Sequence, residues 1–430
     1  MTKPLIFVEQ IDQDMQMKMK MKPAEFISLS ACTMMLTALG IDIMLPAFGE
    51  LRRHFGLSAD STAPAKIISF FFLGQTAQLI FGALSDRYGR LSILRLGFPL
   101  YVVGGIAAAF APTLELMLAA RFVAGMGASA VLMTTVAGVR DRFAGDQMAR
   151  MMSLIFTIFL FTPVIAPFLG VAILSAASWQ WVMLTPPLFA VIVFIWSFRL
   201  EESLPKEQRN ALSWASLGKS IRGVLGNRVF MRYTTVTTLL FTGLSSYVAS
   251  SEHIVGVIYG RPKLFSWIFA AIGLGAAFSS LMNSYLSSRF GARRSIRWLL
   301  ISYSTVGTIL LVYTFVLGHQ PGIFFFFGSV ALLIGINLAI EPNSSALAME
   351  PMGKMAGIAS SVYGTAFFFI GSSLGAVISG LMTSNVFPLV LSFFAIGIIA
   401  LALVFADKRP IKKQAQAPVA KDKEGTLNRA

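Results

Sequence analysis

The sequence predicts an all-α polytopic membrane protein with twelve transmembrane helices in two pseudo-symmetric six-helix bundles. Three observations carry that prediction. First, hydrophobic residues make up 56% of the 430-residue chain and charged residues only 13%, with a mean hydropathy of +0.72. A soluble chain has about a quarter of its residues charged. Here the few charges sit in clusters between apolar runs of about 20 residues, long enough to cross roughly 30 Å of hydrocarbon as helices with their backbone hydrogen bonds internal. Second, Lys and Arg are partitioned between alternate loops: 29 fall on one side, and only Arg52, Arg53, Arg261 and Lys263 on the other. The positive-inside rule then puts both termini in the cytoplasm and makes the number of spans even. Third, Arg87-Tyr88-Gly89-Arg90 is echoed 202 residues later by Arg289-Phe290-Gly291. Repetition at nearly half the chain length is the signature of a duplicated transporter.

In chain order, a cytoplasmic N-terminal segment (1–24) holds alternating Met and Lys and no cleavable signal, so both Met1 and Met21 fit as the start. The first bundle (25–198) holds spans near 25–48, 64–83, 92–111, 115–139, 151–173 and 182–198. A basic linker (199–228) follows, with a short amphipathic helix near Leu212–Val224. The second bundle (229–406) holds spans near 229–251, 265–287, 297–317, 322–346, 358–383 and 387–406, and a cytoplasmic tail (407–430) ends the chain. The net charge of +15 lies in alternate loops, which argues for a bilayer and against a nucleic-acid partner. One cysteine, Cys32, falls within the first span, so there is no disulfide framework. No phosphate-binding glycine loop, metal-ligand cluster or nucleophile elbow is present. The expectation is therefore no enzyme, no cofactor, no metal, and transport driven by an ion or substrate gradient, by a monomer.

The turn between spans two and three, Gly82-Ala83-Leu84-Ser85-Asp86-Arg87-Tyr88-Gly89-Arg90, carries the densest local signal. Gly82 and Gly89 let two helix ends approach and turn sharply. Asp86 can accept backbone N–H groups at a neighbouring helix start, and Arg87 and Arg90 offer charge-assisted partners. A plain topology-setting loop is the bland alternative.

These residues resemble the major facilitator superfamily, and within it the twelve-span drug:proton antiporters of the bicyclomycin/chloramphenicol-resistance type. The loop matches the superfamily's motif through Arg90, with Leu91 where a further basic residue is common. Arg121-Phe122-Val123-x-Gly125-x-Gly127-x-x-Ala130 matches the fourth-span motif, and Asp42-x-x-Leu45-Pro46-Ala47 resembles the first-span signature. The resemblance implies that the loop cluster, with Asp141 at the end of span four, locks the inner gate. It also implies that a span-five stretch, here Pro163, Pro167 and Gly170, bends that helix against span eight, where Gly273, Gly275 and Ala276 offer a small-residue face. Ala166 and Val171 replace two of that motif's glycines.

Three charges inside spans are the coupling candidates. An ionised Asp42 within span one is costly, so it calls for a wet cavity; it suits proton coupling and attraction of cationic drugs, or else it caps the outer end of the span. The resemblance gives Arg121 the task of coupling to span one and helping to pass the proton, the alternative being a static ion pair. Glu341 lines a cavity of the second bundle or marks a helix end broken by Pro342. Glu252 and His253 read as an exposed pair near the outer mouth. Met34, Met44, Phe70, Phe241 and Phe369 are candidates for an adaptable apolar pocket. The expected function is a proton-coupled multidrug exporter in a bacterial inner membrane, taking small hydrophobic or cationic drug-like substrates. A dedicated metabolite exporter and a non-transporting sensor are the alternatives.

Overall fold

The computed structural model describes residues 21–143, 145–209 and 214–407. The first twenty residues, the tail after Asp407, and the start of the predicted linker helix lie outside the described residues; that helix is described over Trp214–Leu225.

Among the described residues, eleven helices are long and apolar enough to cross a membrane. They are Pro23–His54, Ala65–Tyr88, Arg90–Ala109, Leu114–Arg142, Arg150–Ala176, Trp179–Ser197, Pro262–Phe290, Ala292–Leu317, Ile323–Met349, Ala356–Leu381 and Phe387–Phe405. In chain order these are spans one to six and eight to twelve. The seventh span is Arg228–His253, 26 residues, or about 39 Å at 1.5 Å per residue. It falls where a span near 229–251 is predicted, and it is rich in Ser and Thr and less apolar than the other eleven. The reason is positional: it packs against spans ten, eleven and twelve, and most of its length is buried. Its hydroxyls fold back on their own helix, with Thr237 donating to the Tyr233 carbonyl (2.9 Å) and Thr242 to that of Thr238 (3.0 Å). A helix shielded by protein need not be greasy.

Local chemistry sets several helix ends. Asn227 Oδ1 accepts from the amides of Val229 and Phe230, both at 3.0 Å, at the start of span seven, and the Thr113 hydroxyl does the same for Leu116 at span four. Span one is interrupted: its α-helix stops at Asp42, a 3-10 turn covers Leu45–Ala47, and a second helix runs Phe48–His54. The predicted end at residue 48 falls just past this break.

The two halves repeat one packing scheme. Span four packs on one, two and three, and span ten on seven, eight and nine; span three packs on six, and span nine on twelve. The hairpin turns match as well. Gly89 (φ 95°, ψ 157°) and Gly291 (φ 80°, ψ 151°) each join two spans through a conformation that L side chains rarely adopt. Both bundles then meet along two seams, span two with eleven and span five with eight. Phe72 lies 5.1 Å from Phe241 and 6.0 Å from Phe368 between ring centroids. Nearer the face where span one begins and span twelve ends, the terminal face below, Gly364 packs on the Gln78 amide and Gly82 faces Ser361.

Candidate functional site

Asp42 is the last residue of the first helix of span one and is 6% exposed. Its carboxylate forms no hydrogen bond or ion pair among the described residues. Arg121, in span four, is 3% exposed, and its guanidinium donates to the Gly40 carbonyl at 2.5 Å, two residues before Asp42. The same guanidinium lies over the Phe71 ring, 4.4 Å from its centroid, while its Nε has no acceptor. Tyr101 of span three donates to the Leu36 carbonyl at 2.7 Å. Spans two, three and four thus converge on the turn of span one that precedes Asp42. Arg121 forms no ion pair among the described residues, with Asp42 or any other carboxylate. Two buried charges of opposite sign share one bundle, each without a charged partner among the described residues.

Span five closes this site from the other side. A Cβ built on Gly170 would run into the Ile43 carbonyl and reach Pro46, at the break just after Asp42. Pro163 instead lies against Gly273 of span eight, 3.5 Å from where a Cβ on Gly273 would sit. Pro167 is inside the helix and buried. The span-five stretch therefore touches two neighbours: Pro163 meets span eight, and Gly170 meets span one. Gly275 turns away, its carbonyl lying near Gly335 of span ten. Gly170→Leu is expected to block folding or to force span one away, because the clash is with backbone; accumulation and melting of the variant in detergent check this.

On the terminal face, Arg90 is the hub. Its Nη1 reaches Asp86 at 2.5 Å and Ser85 at 2.7 Å, and its Nε reaches Asp141 at 2.9 Å. Ser203, after span six, also donates to Asp141 at 2.9 Å. Arg87 stays outside this group, over the ring of its neighbour Tyr88. The acid at a helix start is not Asp86 but Glu202: its carboxylate accepts from the amides of Arg90 (2.9 Å) and Leu91 (3.3 Å) and faces Arg209 at 3.5 Å. Asp86 is held by Arg90 one turn on, which leaves the N-terminus of span three to the linker. Glu202→Ala is expected to lower stability by about 1 kcal/mol, the usual loss of a cap with a favourable dipole contact, as read by thermal melting.

The C-terminal copy of this cluster is neutral. The same 202-residue offset carries Ser85 to Ser287 and Asp141 to Asn343. Ser287 Oγ lies 2.9 Å from Asn343 Oδ1, and Asn343 donates to Asn283 at 2.7 Å. The charges of that half gather instead at Asp407, after span twelve, with Tyr233, Arg232 and Arg293 at 2.9, 3.4 and 3.9 Å.

Glu341 sits in span ten, part-buried, with the Tyr363 hydroxyl 3.4 Å from Oε1; the helix continues through Pro342 to Met349 rather than ending there. Among the pocket candidates, Met34, Met44 and Phe241 are buried, and Phe241 stacks on Phe367 at 4.0 Å. Phe369 is exposed on the outside of span eleven.

Glu252 and His253 are not an exposed pair. His253 is 2% exposed and its Nε2 lies 3.0 Å from the Thr383 carbonyl. Glu252 takes both guanidinium arms of Arg52, at 3.1 and 2.8 Å, across the two bundles on the face opposite the terminal one, called distal below. Nothing local in the sequence joins residues 200 positions apart. Removing Glu252 strands a buried Arg52, so Glu252→Gln should destabilise more than the double variant Arg52→Met with Glu252→Gln, a coupling that a melting-based double-mutant cycle measures.

A family model described as Major Facilitator Superfamily matches residues 30–376. The chain belongs to that superfamily. Among its curated superfamily relatives, an uncharacterised MFS-type transporter (YdgK) of Bacillus subtilis is 29% identical, covering 87% of this chain and 94% of its own. A bicyclomycin resistance protein homolog of Haemophilus influenzae is 27% identical, covering 90% and 98%. The superfamily fold recurs in the partially occluded inward-open xylose transporter XylE of E. coli, at a TM-score of 0.69 and 12% identity over 90% of this chain and 98% of that one.

Proposed function

We propose that this superfamily transporter exports small hydrophobic or cationic drug-like molecules in exchange for protons, by alternating access. One observation carries the reading: Asp42, a buried carboxylate at a break in span one, has no partner among the described residues. A carboxylate kept there without a cation is free to bind either a proton or the positive end of a substrate. Arg121, at Gly40, biases that choice electrostatically without neutralising Asp42 outright. Protonation then shifts the inward–outward balance by the difference in proton affinity between the two states, and no more. The Arg90 cluster holds the ends of spans two and four together on the terminal side; Arg52–Glu252 clamps the bundles on the distal side. The proposed setting is a bacterial inner membrane with both termini cytoplasmic, consistent with the 29-to-4 partition of Lys and Arg, and with a working monomer divided at residues 199–228.

Resemblance to resistance proteins supports drug-like substrates. The deciding measurement uses purified protein in proteoliposomes with an imposed pH gradient. Uphill movement of a drug that collapses with the gradient is expected. Flux absent for every drug in a broad panel, with growth protection confined to one compound class in an efflux-deficient host, would point to a dedicated metabolite exporter instead.

A further inference from the structure

A cavity of about 350 Å³ opens at the distal end of the seam between spans five and eight, on the opposite face from Arg90 and with Pro46, at the break just after Asp42, in its lining. Its wall is apolar and aromatic: Phe168 and Leu174 of span five face Trp267 of span eight, and the Phe168 and Trp267 rings meet edge-on at 5.0 Å. Trp267 is 68% exposed, so the cavity is open at this side rather than enclosed in the core. Ser266, also in the lining, is 6% exposed, and its hydroxyl has no hydrogen-bond partner among the described residues. Such a buried polar atom calls for a partner.

Charge narrows the ligand further. Of the four cations on the distal loops, Arg52 is held by Glu252 and Arg53 by Glu50. Arg261 and Lys263 have no anion among the described residues, and Lys263 lines the cavity at the loop that leads into span eight. Glu252 is in the lining too, but its charge is already met by both arms of Arg52. The mouth is therefore positive, one buried hydroxyl of a lining residue is unmet, and the wall is apolar. The depth agrees: the lining uses the last turns of span five before Ala176 and the first turn of span eight, where head groups meet acyl chains.

We propose that this cavity seats one phospholipid of the distal leaflet, with its phosphate between Arg261 and Lys263, its ester region at Ser266 and its first acyl segment along Phe168 and Trp267. A lipid there also abuts Glu252 and so braces the Arg52–Glu252 clamp between the bundles. The inference stands independently of the drug-efflux reading; only the naming of that leaflet as the outer one rests on the proposed orientation.

The test is photo-cross-linking of the full-length protein in phosphatidylglycerol-containing nanodiscs, using a phospholipid with a diazirine at the glycerol end of one acyl chain. Adducts are expected to concentrate on residues 168–174 and 265–267 and to be chased by unlabelled phosphatidylglycerol but not by glycerol phosphate. Arg261→Gln with Lys263→Gln should reduce them roughly thirtyfold, the order that two basic residues contribute to anionic-lipid binding. Ser266→Ala, which removes only a hydroxyl, should weaken them less and keeps the test open if the double variant does not accumulate. Adducts spread evenly over lipid-facing helices, or unchanged in both variants, would overturn the site. A chase by glycerol phosphate alone would reassign it to a free anion.

Discussion

Asp42→Asn is expected to bring pH-driven drug efflux down to the level of vesicles lacking the protein, while leaving folding intact or slightly improved. The two halves of this expectation come from one fact. The Asp42 carboxylate is 6% exposed and, among the described residues, engages no cation and no hydrogen-bond donor. Replacing it with a neutral isostere strands no partner and removes the desolvation of an ion, so stability has nothing to lose. The proton site, however, disappears. A residue that merely capped the helix end before the break would behave in the opposite way, with activity kept and melting lowered. Everted vesicles with a fluorescent substrate read the first half, and melting in detergent reads the second. Unchanged gradient-driven efflux would sink the assignment of Asp42. Arg121→Ala should differ from both: it loses the bond to the Gly40 carbonyl and the contact with the Phe71 ring, so both stability and transport fall.

Among substitutions that remove a charged partner, the largest stability effect is expected at Asp407→Ala, on the other bundle. Asp407 is 2% exposed after span twelve and draws together Arg232 at the start of span seven, Arg293 at the start of span nine, and the Tyr233 hydroxyl. Removing a buried partner costs about 3–5 kcal/mol where the charge left behind is uncompensated; here Arg293 keeps Glu350 at 3.5 Å. Because Arg232 and Arg293 keep some contact with solvent, the lower end, about 3 kcal/mol, is the expected loss. Asp407→Asn should fall between, since it retains a hydrogen-bonding partner for Tyr233. A melting temperature that hardly moves in Asp407→Ala would remove Asp407 from its place as the anchor of the C-terminal half.

How much of this was readable in the chain depends on whether the determinant is local. Twelve helices, the two-fold repeat and the sharp turn at Gly89 follow from run lengths and one short motif, and the structure carries them. Asp42 and Arg121 were visible because charge is conspicuous in an apolar run. Span seven could be placed by its position between the linker and the next loop, though its Ser and Thr make it less apolar than the other eleven; what shields it is protein, not lipid. The partners were not legible. Glu202 capping span three, Arg52 reaching Glu252 and Asp407 gathering two arginines join residues from 111 to 200 positions apart, and no periodicity encodes such pairings. The same holds for Gly170: its glycine character suggested close packing, but only the fold says that the neighbour is the carbonyl beside Asp42.

The unequal chemistry of the two hairpin clusters has a consequence for ionic strength. In the N-terminal half, spans two and four are tied through Asp86, Arg90 and Asp141; in the other, the matching positions are tied by Ser287, Asn283 and Asn343. At about 0.15 M salt, charges interact over roughly 8 Å, and exposed pairs weaken as salt rises, whereas neutral hydrogen bonds do not. Added salt on the terminal side therefore acts on the hairpin cluster of one bundle, chiefly through the more exposed Asp86, and leaves the neutral hairpin cluster of its twin alone. Ionic strength on that side becomes a control on one hairpin and not on its repeat.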